Sequence, residues 1–168
     1  MMQKYYIYFI IMLKEDRVSS IFKKYQGGFV MKIAVSACLL GENCKYNGGN
    51  NYSKKVRAYT KGHEVIPVCP EVLGGLSIPR EPAEIVNGIV SLKDGTSVDK
   101  EFREGARRAL ETVKEQNADI VILQSRSPSC VVNAIYDGSF SGKIISGQGV
   151  FADLLRKNGI KAIDVEDL

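Results

Sequence analysis

The stretch "ADIVILQ", residues 118–124, decides the fold predicted for this chain of 168 residues. Its unbroken apolar run is typical of a strand that is buried on both faces, as strands in parallel sheets are. The segment before it, residues 97–117, spaces its apolar side chains as one face of a helix. We therefore expect this strand to lie at the centre of a sheet, with the helix packed against it.

Strands and helices alternate outward from this centre. Strands are predicted at residues 32–37, 64–68 and 160–165, and helices at residues 53–62 and 149–159. A proline-rich loop, residues 69–86, and a short hairpin around "KDGT" interrupt the alternation, and Pro67 is typical of an edge strand. The pattern predicts an α/β fold: a three-layer, Rossmann-like domain with a small, mostly parallel sheet.

Residues 1–30 look unlike the rest of the chain. Their apolar run "YYIYFIIML" is about half the length of a transmembrane helix, and no small-residue cleavage site follows it. The codons for "QGG", residues 26–28, can spell a ribosome-binding sequence just before Met31. Our hypothesis is that Met31 is the native start and that residues 31–168 form the single domain. The alternative is an extra strand or amphipathic tail that packs on that domain.

The charge of the predicted domain is close to zero. The chain carries a net charge of +4, but residues 1–30 hold five basic and two acidic side chains, which leaves 18 basic and 17 acidic ones afterwards. A long nucleic acid is therefore not an expected partner. The single histidine, His63, excludes most zinc patterns built from cysteine and histidine.

Three of the four cysteines follow predicted strands. Cys38 and Cys69 come directly after the first two strands, and Cys130 lies six residues after the central one. Because parallel strands end at the same edge of a sheet, these thiols should lie near one another. Cys44 lies farther along the first loop, so its position is less defined.

The cysteine pattern leaves several kinds of site open. Without a secretion signal disulfides are not expected, and the spacing is not that of zinc ribbons or fingers. Buried packing thiols and a zinc site remain alternatives. A third is a cubic iron–sulfur cluster with three thiolate ligands, whose open iron could accept sulfur from a substrate.

Two polar side chains lie close to these cysteines in sequence. Glu71 follows Cys69 in "CPE" and could activate water or move a proton. Ser127 precedes Cys130 in "SRSPSC" and could donate a hydrogen bond or relay a proton. A solvated loop glutamate and a turn-forming serine are the structural alternatives.

Three further residues at this edge are candidates for substrate contacts. Arg80 and Arg126 could hold an anion or a carbonyl oxygen, and Tyr46 could stack on a planar ring. Either arginine could instead form a surface ion pair.

Five blocks of the sequence, taken together and in order, resemble the thiouracil desulfidase family. They are "SACLLGENCKYNGG", "PVCPEVLGGLSIPREPAEI", "SRSPSC", "IYDGSFSGK" and "GQGV". The resemblance covers nearly all of residues 31–168 and none of residues 1–30. Three positions depart from the family pattern: Gln124 replaces a frequent lysine, Val131 replaces the usual glycine after the last cysteine, and Phe151 stands in "GVFA".

The resemblance implies a cytoplasmic, non-redox, hydrolytic desulfidase. Its 4Fe-4S cluster, which can be lost in aerobic preparations, would be held by Cys38, Cys69 and Cys130. Glu71 and Ser127 would handle protons while water replaces the sulfur of a small thiolated base such as 2-thiouracil, and Cys44 would not be a ligand.

Two alternatives to this function remain open at this point. One is a non-catalytic iron–sulfur or zinc protein, and the other is desulfuration of thiolated nucleosides or RNA. No membrane partner is expected, and the sequence does not indicate an oligomeric state.

Overall fold

The structure, a computed structural model, describes residues 30–168. The extension predicted for residues 1–30 thus lies outside the described residues, apart from Val30. Residues Met31–Leu168 form a compact unit of their own. No helix of this described part is long and apolar enough to cross a membrane.

Four parallel strands form the main sheet, as the sequence predicts. They are β1 (Lys32–Ser36), β2 (Glu64–Val68), β5 (Ile120–Leu123) and β8 (Ala162–Asp164), in the order β2-β1-β5-β8. The strand β5 is therefore internal, and Pro67 of β2 lies in an edge strand. Both placements agree with the sequence-based expectation.

Helices cover both faces of this sheet. They are α1 (Lys54–Tyr59), α2 (Pro70–Leu73), α3 (Asp99–Glu115) and α4 (Val150–Lys157). Successive strand residues point to opposite faces, so β1 contributes Ala34 to the core under α3 and α4, and Ile33 and Val35 to the core that contains Val56 of α1. The mixed α/β fold with a parallel sheet between helices is thus confirmed.

Two antiparallel hairpins lie outside the main sheet. Strands β3 (Ala83–Val86) and β4 (Ile89–Leu92) form the first, and β6 (Ala134–Tyr136) and β7 (Ile144–Ser146) form the second. The first hairpin turns at Asn87 and Gly88, which both have positive φ, the conformation that a two-residue turn requires. The turn predicted around "KDGT" is confirmed, because the chain folds back there from β4 to the antiparallel Ser91–Ser97 bridge, whereas the turn at Asn87 and Gly88 was not predicted.

Candidate active site

One cavity of about 590 Å³ lies where β1, β2 and β5 end. All eight residues that the sequence proposes for the site line it, and so does Cys44. The eight predicted residues are Cys38, Tyr46, Cys69, Glu71, Arg80, Arg126, Ser127 and Cys130. The parallel sheet therefore brings together residues that are up to 92 positions apart in the sequence.

Each cysteine of the predicted ligand set is held by a different local structure. Cys38 lies in a short 3₁₀ helix, Ala37–Leu40, that continues directly from β1. Cys69 is the N-cap residue of α2, with Pro70 as the first helical residue. Cys130 lies in the loop after β5 and is buried.

Glycines allow α2 to pack closely on α3. A Cβ atom on Gly105 would lie 1.9 Å from the carbonyl oxygen of Pro70, and one on Gly74 would lie 2.1 Å from that of Glu101. Only hydrogen fits at such distances, so α2 lies backbone to backbone on α3. This contact fixes the short helix that carries Glu71 and is capped by Cys69.

The first turn of α4 holds the loop that carries Cys130. The N–H of Val150 donates to the carbonyl of Pro128 at 2.9 Å, and the N–H of Phe151 donates to that of Ser129 at 2.8 Å. Amides at a helix N-terminus lack partners within the helix, so here the loop satisfies them. The loop is thereby tied to an element of the core.

Hydrogen bonds and burial raise the pKa of three of the four thiols. Hydrogen bonding to Cys38 raises the pKa of Cys44 to about 11, although a hydrogen bond with Cys69 acts in the opposite direction. The hydrogen bond with Cys44, followed by burial, raises the pKa of Cys69, and burial raises the pKa of Cys130. A metal centre that binds these sulfurs would therefore have to displace their protons.

The three thiols of the predicted ligand set are donors of the kind that hold an iron–sulfur cluster. Within residues 30–168, no three His, Cys, Asp or Glu side chains converge on one point that an ion could occupy. A cubic cluster is larger and is held through separate iron atoms by thiolates, which are the ligands that iron–sulfur clusters prefer. Cys38, Cys69 and Cys130 around one cavity are donors of this kind.

Glu71 is held through both of its carboxylate oxygens. Its Oε2 accepts hydrogen bonds from Arg80, from Nε at 2.9 Å and from Nη2 at 2.5 Å. Its Oε1 accepts one from the Ser127 hydroxyl at 3.0 Å. The Arg80 and Glu71 side chains are only 9% and 14% exposed, so this is not a solvated surface pair.

Ser127 links the carboxylate to the Cys130 loop. Its Oγ accepts hydrogen bonds from the N–H groups of Ser129 at 3.1 Å and Cys130 at 3.2 Å, while its hydroxyl proton points to Glu71. Ser127 therefore forms the turn, as its structural alternative requires, and its hydroxyl also bonds to the carboxylate. Two amide donors would also stabilise negative charge on this oxygen.

The other two proposed substrate residues are more exposed. Arg126 pairs with Glu166 at 3.2 Å, and these side chains are 56% and 62% exposed. Arg126 also has a φ of +60°, which is uncommon for a residue other than glycine. Tyr46 is 44% exposed. Both residues line the cavity and remain available to a ligand.

The hairpins supply cavity walls that the sequence did not reveal. Glu84 of β3 and Tyr136 of β6 line the cavity, and the Glu84 carboxylate accepts the Phe140 N–H at 3.0 Å. Phe102 of α3 lines the cavity as well. The sequence signal for Phe102 was its place on the apolar face of α3, which indicated only a core residue.

Comparisons with known proteins identify the family and relatives of this chain. A family model described as 2-thiouracil desulfurase matches residues 33–167. The uncharacterized protein YbbK of Bacillus subtilis (strain 168) is 42% identical over 146 residues, which span 81% of this chain and 97% of that protein.

A solved relative has the same fold. The structure of the 4Fe-4S-dependent thiouracil desulfidase TudS matches with a TM-score of 0.78 and 38% identity, over 82% of this chain and 93% of that one. The chain therefore belongs to the 2-thiouracil desulfurase family of enzymes.

Proposed function

We propose that this protein hydrolyses a small thiolated pyrimidine such as 2-thiouracil to uracil and hydrosulfide. The proposal assigns Cys38, Cys69 and Cys130 as ligands of a 4Fe-4S cluster, and Glu71 and Ser127 as the proton-handling groups. The observation that carries it is the meeting of these five side chains around one cavity. The solved relative named as a 4Fe-4S-dependent thiouracil desulfidase supports it.

The cysteines and the cavity suit this cofactor. When bound through three thiolates, a 4Fe-4S cluster supplies one iron without a protein ligand, a thiophilic Lewis acid that accepts the leaving sulfur. The cavity of about 590 Å³ is within the range of small-molecule sites. The four cysteines are all free, which suits a reducing cytoplasm, the location we propose.

Glu71 and Ser127 are arranged to move protons between water and the departing sulfur. Water attacks the ring carbon that bears sulfur, a carbon–oxygen bond forms, and the carbon–sulfur bond breaks with its electron pair going to sulfur. One proton of water passes to Glu71 Oε1, and the hydroxyl of Ser127, 3.0 Å away, can share it, while the second proton passes to the sulfur, which leaves as hydrosulfide. The amides of Ser129 and Cys130 stabilise the serine oxygen during this exchange.

Anaerobic reconstitution followed by metal analysis tests the cofactor. Iron and sulfide should appear in equal amounts, and Cys38→Ala, Cys69→Ala and Cys130→Ala should each lower both. The Cys44→Ala variant should keep them, because Cys44 is not a proposed ligand. A colourless wild-type protein that holds one zinc and no iron would contradict the cluster assignment.

Turnover of thiolated bases tests the activity. The loaded protein should decrease the ultraviolet absorbance of 2-thiouracil and release hydrosulfide at the same rate. A loaded cluster without turnover of any base would favour a non-catalytic iron–sulfur protein. Turnover of thiolated nucleosides or RNA, but not of free bases, would instead favour the larger substrate class.

A further inference from the structure

We propose that Arg80 is a positioning residue that acts through Glu71. It fixes the carboxylate so that only Oε1 exchanges protons, and it does not hold the substrate. The inference rests on the proposed function, because it concerns the residue to which that function assigns proton transfer. Its evidence is a set of hydrogen bonds that is separate from the cysteine arrangement.

All three nitrogen atoms of the Arg80 side chain donate to the protein. Nε and Nη2 donate to Glu71 Oε2, Nη2 also donates to the carbonyl of Cys44 at 3.0 Å, and Nη1 donates to that of Ser77 at 3.1 Å. A guanidinium has five N–H groups, so four are already engaged. The side chain is also only 9% exposed, which leaves little surface for a substrate.

The two carboxylate oxygens of Glu71 are not equivalent. Each carboxylate oxygen can accept about two hydrogen bonds, and the two donors from Arg80 fill this capacity at Oε2. Oε1 accepts only the Ser127 hydroxyl within the described residues and so keeps capacity for a water molecule. Oε1 is therefore the oxygen that accepts the proton from water, and Arg80 determines this by occupying Oε2.

Arg80 also joins two segments of the cavity wall. The backbone N–H of Arg80 donates to the carbonyl of Tyr46 at 2.7 Å, and its side chain donates to the carbonyl of Cys44. These bonds attach the loop that contains Cys44 to the segment before β3. The same side chain then reaches α2 through Glu71. Arg126 differs, because it has one long ion pair and a mostly exposed side chain.

Steady-state kinetics of the loaded enzyme test the positioning role. Arg80→Met should lower kcat for 2-thiouracil by about 100-fold, the effect of a misplaced reacting group, with KM changed less than about threefold. Arg80→Lys should recover part of the rate, because an ammonium keeps the charge but lacks the planar fork. An equal loss of iron and of rate would indicate a structural role and overturn the proposal.

A double-mutant cycle separates positioning from substrate binding. Because Arg80 acts through the carboxylate, Glu71→Gln with Arg80→Met should be no slower than Glu71→Gln alone. If the two losses multiply and KM rises with Arg80→Met, Arg80 contacts the substrate instead. Arg107→Met is the matched control, because Arg107 lies in exposed ion pairs on α3 and should change neither constant.

Urea unfolding of the cluster-free full-length chain tests the same pair without turnover. The double variant should lower the unfolding midpoint by less than the sum of the two single variants, because both single variants break the same pair between Arg80 and Glu71. Additive decreases would show that Arg80 and Glu71 do not depend on each other and would overturn the proposal. If the loaded wild-type protein does not turn over any thiolated base, the proposed function is contradicted instead. The unfolding measurements would still show whether Arg80 and Glu71 depend on each other.

Discussion

At the residue scale, the Glu71 carboxylate is the centre of the site's polar network. It accepts the Ser127 hydroxyl on one oxygen and the Arg80 guanidinium on the other, and it lies two residues after Cys69. Sequence reasoning identified Glu71 and Ser127 as neighbours of two cysteines. It could not show that they bond to each other, because 56 residues separate them and only the sheet brings them together.

Glu71→Gln tests the charge of this carboxylate with little change in shape. We expect kcat for 2-thiouracil to fall by about 10²- to 10⁴-fold, the usual loss of a general base. The iron content should stay near that of the wild type, because glutamine can still accept from Ser127. Unchanged hydrosulfide release would show that Glu71 has no role in proton transfer.

Ser127→Ala removes both the bond to Glu71 and the bonds from the amides of the Cys130 loop. A second variant is needed to separate proton transfer from the support of this loop. Alanine removes the acceptor of the Ser129 and Cys130 amides, so both the rate and the iron content should fall. Ser127→Thr keeps the hydroxyl and should restore the iron content. If Ser127→Ala releases hydrosulfide as fast as the wild type at equal iron content, the hydroxyl does not handle protons.

At the element scale, two close contacts position the loops that carry the cysteines. The glycine contact between α2 and α3 holds the segment that contains Cys69 and Glu71, and the first turn of α4 holds the segment that contains Ser127 and Cys130. Each contact places a short segment of chain on a helix whose side chains pack in the core. The geometry of the site thus depends on the helices although most of its residues lie outside them.

Gly105→Ala tests the contact between α2 and α3. Helix propensity alone would make this change stabilising by about 1 kcal/mol. The clash with the Pro70 carbonyl should instead destabilise the protein by about 1–3 kcal/mol and lower its iron content. In Gly49→Ala, the matched control, the new Cβ meets only the Asn47 side chain at 3.2 Å, and stability and iron content should change little.

Asp99→Asn tests how α3 is joined to the first hairpin. The Asp99 carboxylate accepts the Val90 N–H at 3.1 Å and pairs with Arg103. Burial raises the pKa of Asp99, but the bonds from Arg103 and Val90 outweigh it and leave the pKa below its ordinary value. A lowered pKa in the folded state contributes stability above the unfolded value of about 3.9, and this is lost as the pH falls through the folded value.

The Asp99→Asn variant should therefore be less stable than the wild type by about 1 kcal/mol at pH 7. Urea unfolding at several pH values should show this difference shrinking as the pH falls below the unfolded value of about 3.9, because the unfolded chain then takes up the proton more readily than the folded protein. The control Glu115→Gln changes an exposed residue at the other end of α3. A difference that does not shrink as the pH falls would rule out the carboxylate charge as its source.

The long elements were predictable from the sequence, and the short ones were not. The helix predicted at 97–117 contains the 17 residues of α3, because apolar periodicity over such a length is informative. The helix α2 has four residues, and β6 and β7 have three each, too few to show a period. Their formation depends on contacts between distant segments, such as the approach of Gly105 to Pro70.

At the scale of the whole molecule, the parallel sheet explains why the site could be located before its geometry was known. Three strands end at one edge, so Cys38, Cys69 and Cys130 were expected to meet there. The polar contacts were not predictable in this way. Arg80 was expected to contact the substrate or lie in a surface pair, and its four donated bonds depend on how three loops pack.

Removal of residues 1–30 tests the proposal that residues 31–168 form a single domain without them. Since residues Met31–Leu168 form a compact unit, a chain that begins at Met31 should unfold at the same temperature as the full chain. It should also take up the same amount of iron. A lower melting temperature or a loss of iron would show that the first thirty residues pack on the domain.

The edges of the sheet also affect how the protein behaves at high concentration. An exposed edge strand offers free N–H and C=O groups to another chain, and proteins commonly shorten or interrupt such strands. Here β2 contains Pro67, which has no N–H to donate, and β8 has only three residues. Pro67→Thr should therefore increase the aggregated fraction after refolding, measured by light scattering. Because Pro67 leaves the open edge of β2 without one backbone donor, it disfavours pairing of this strand with a strand of another molecule.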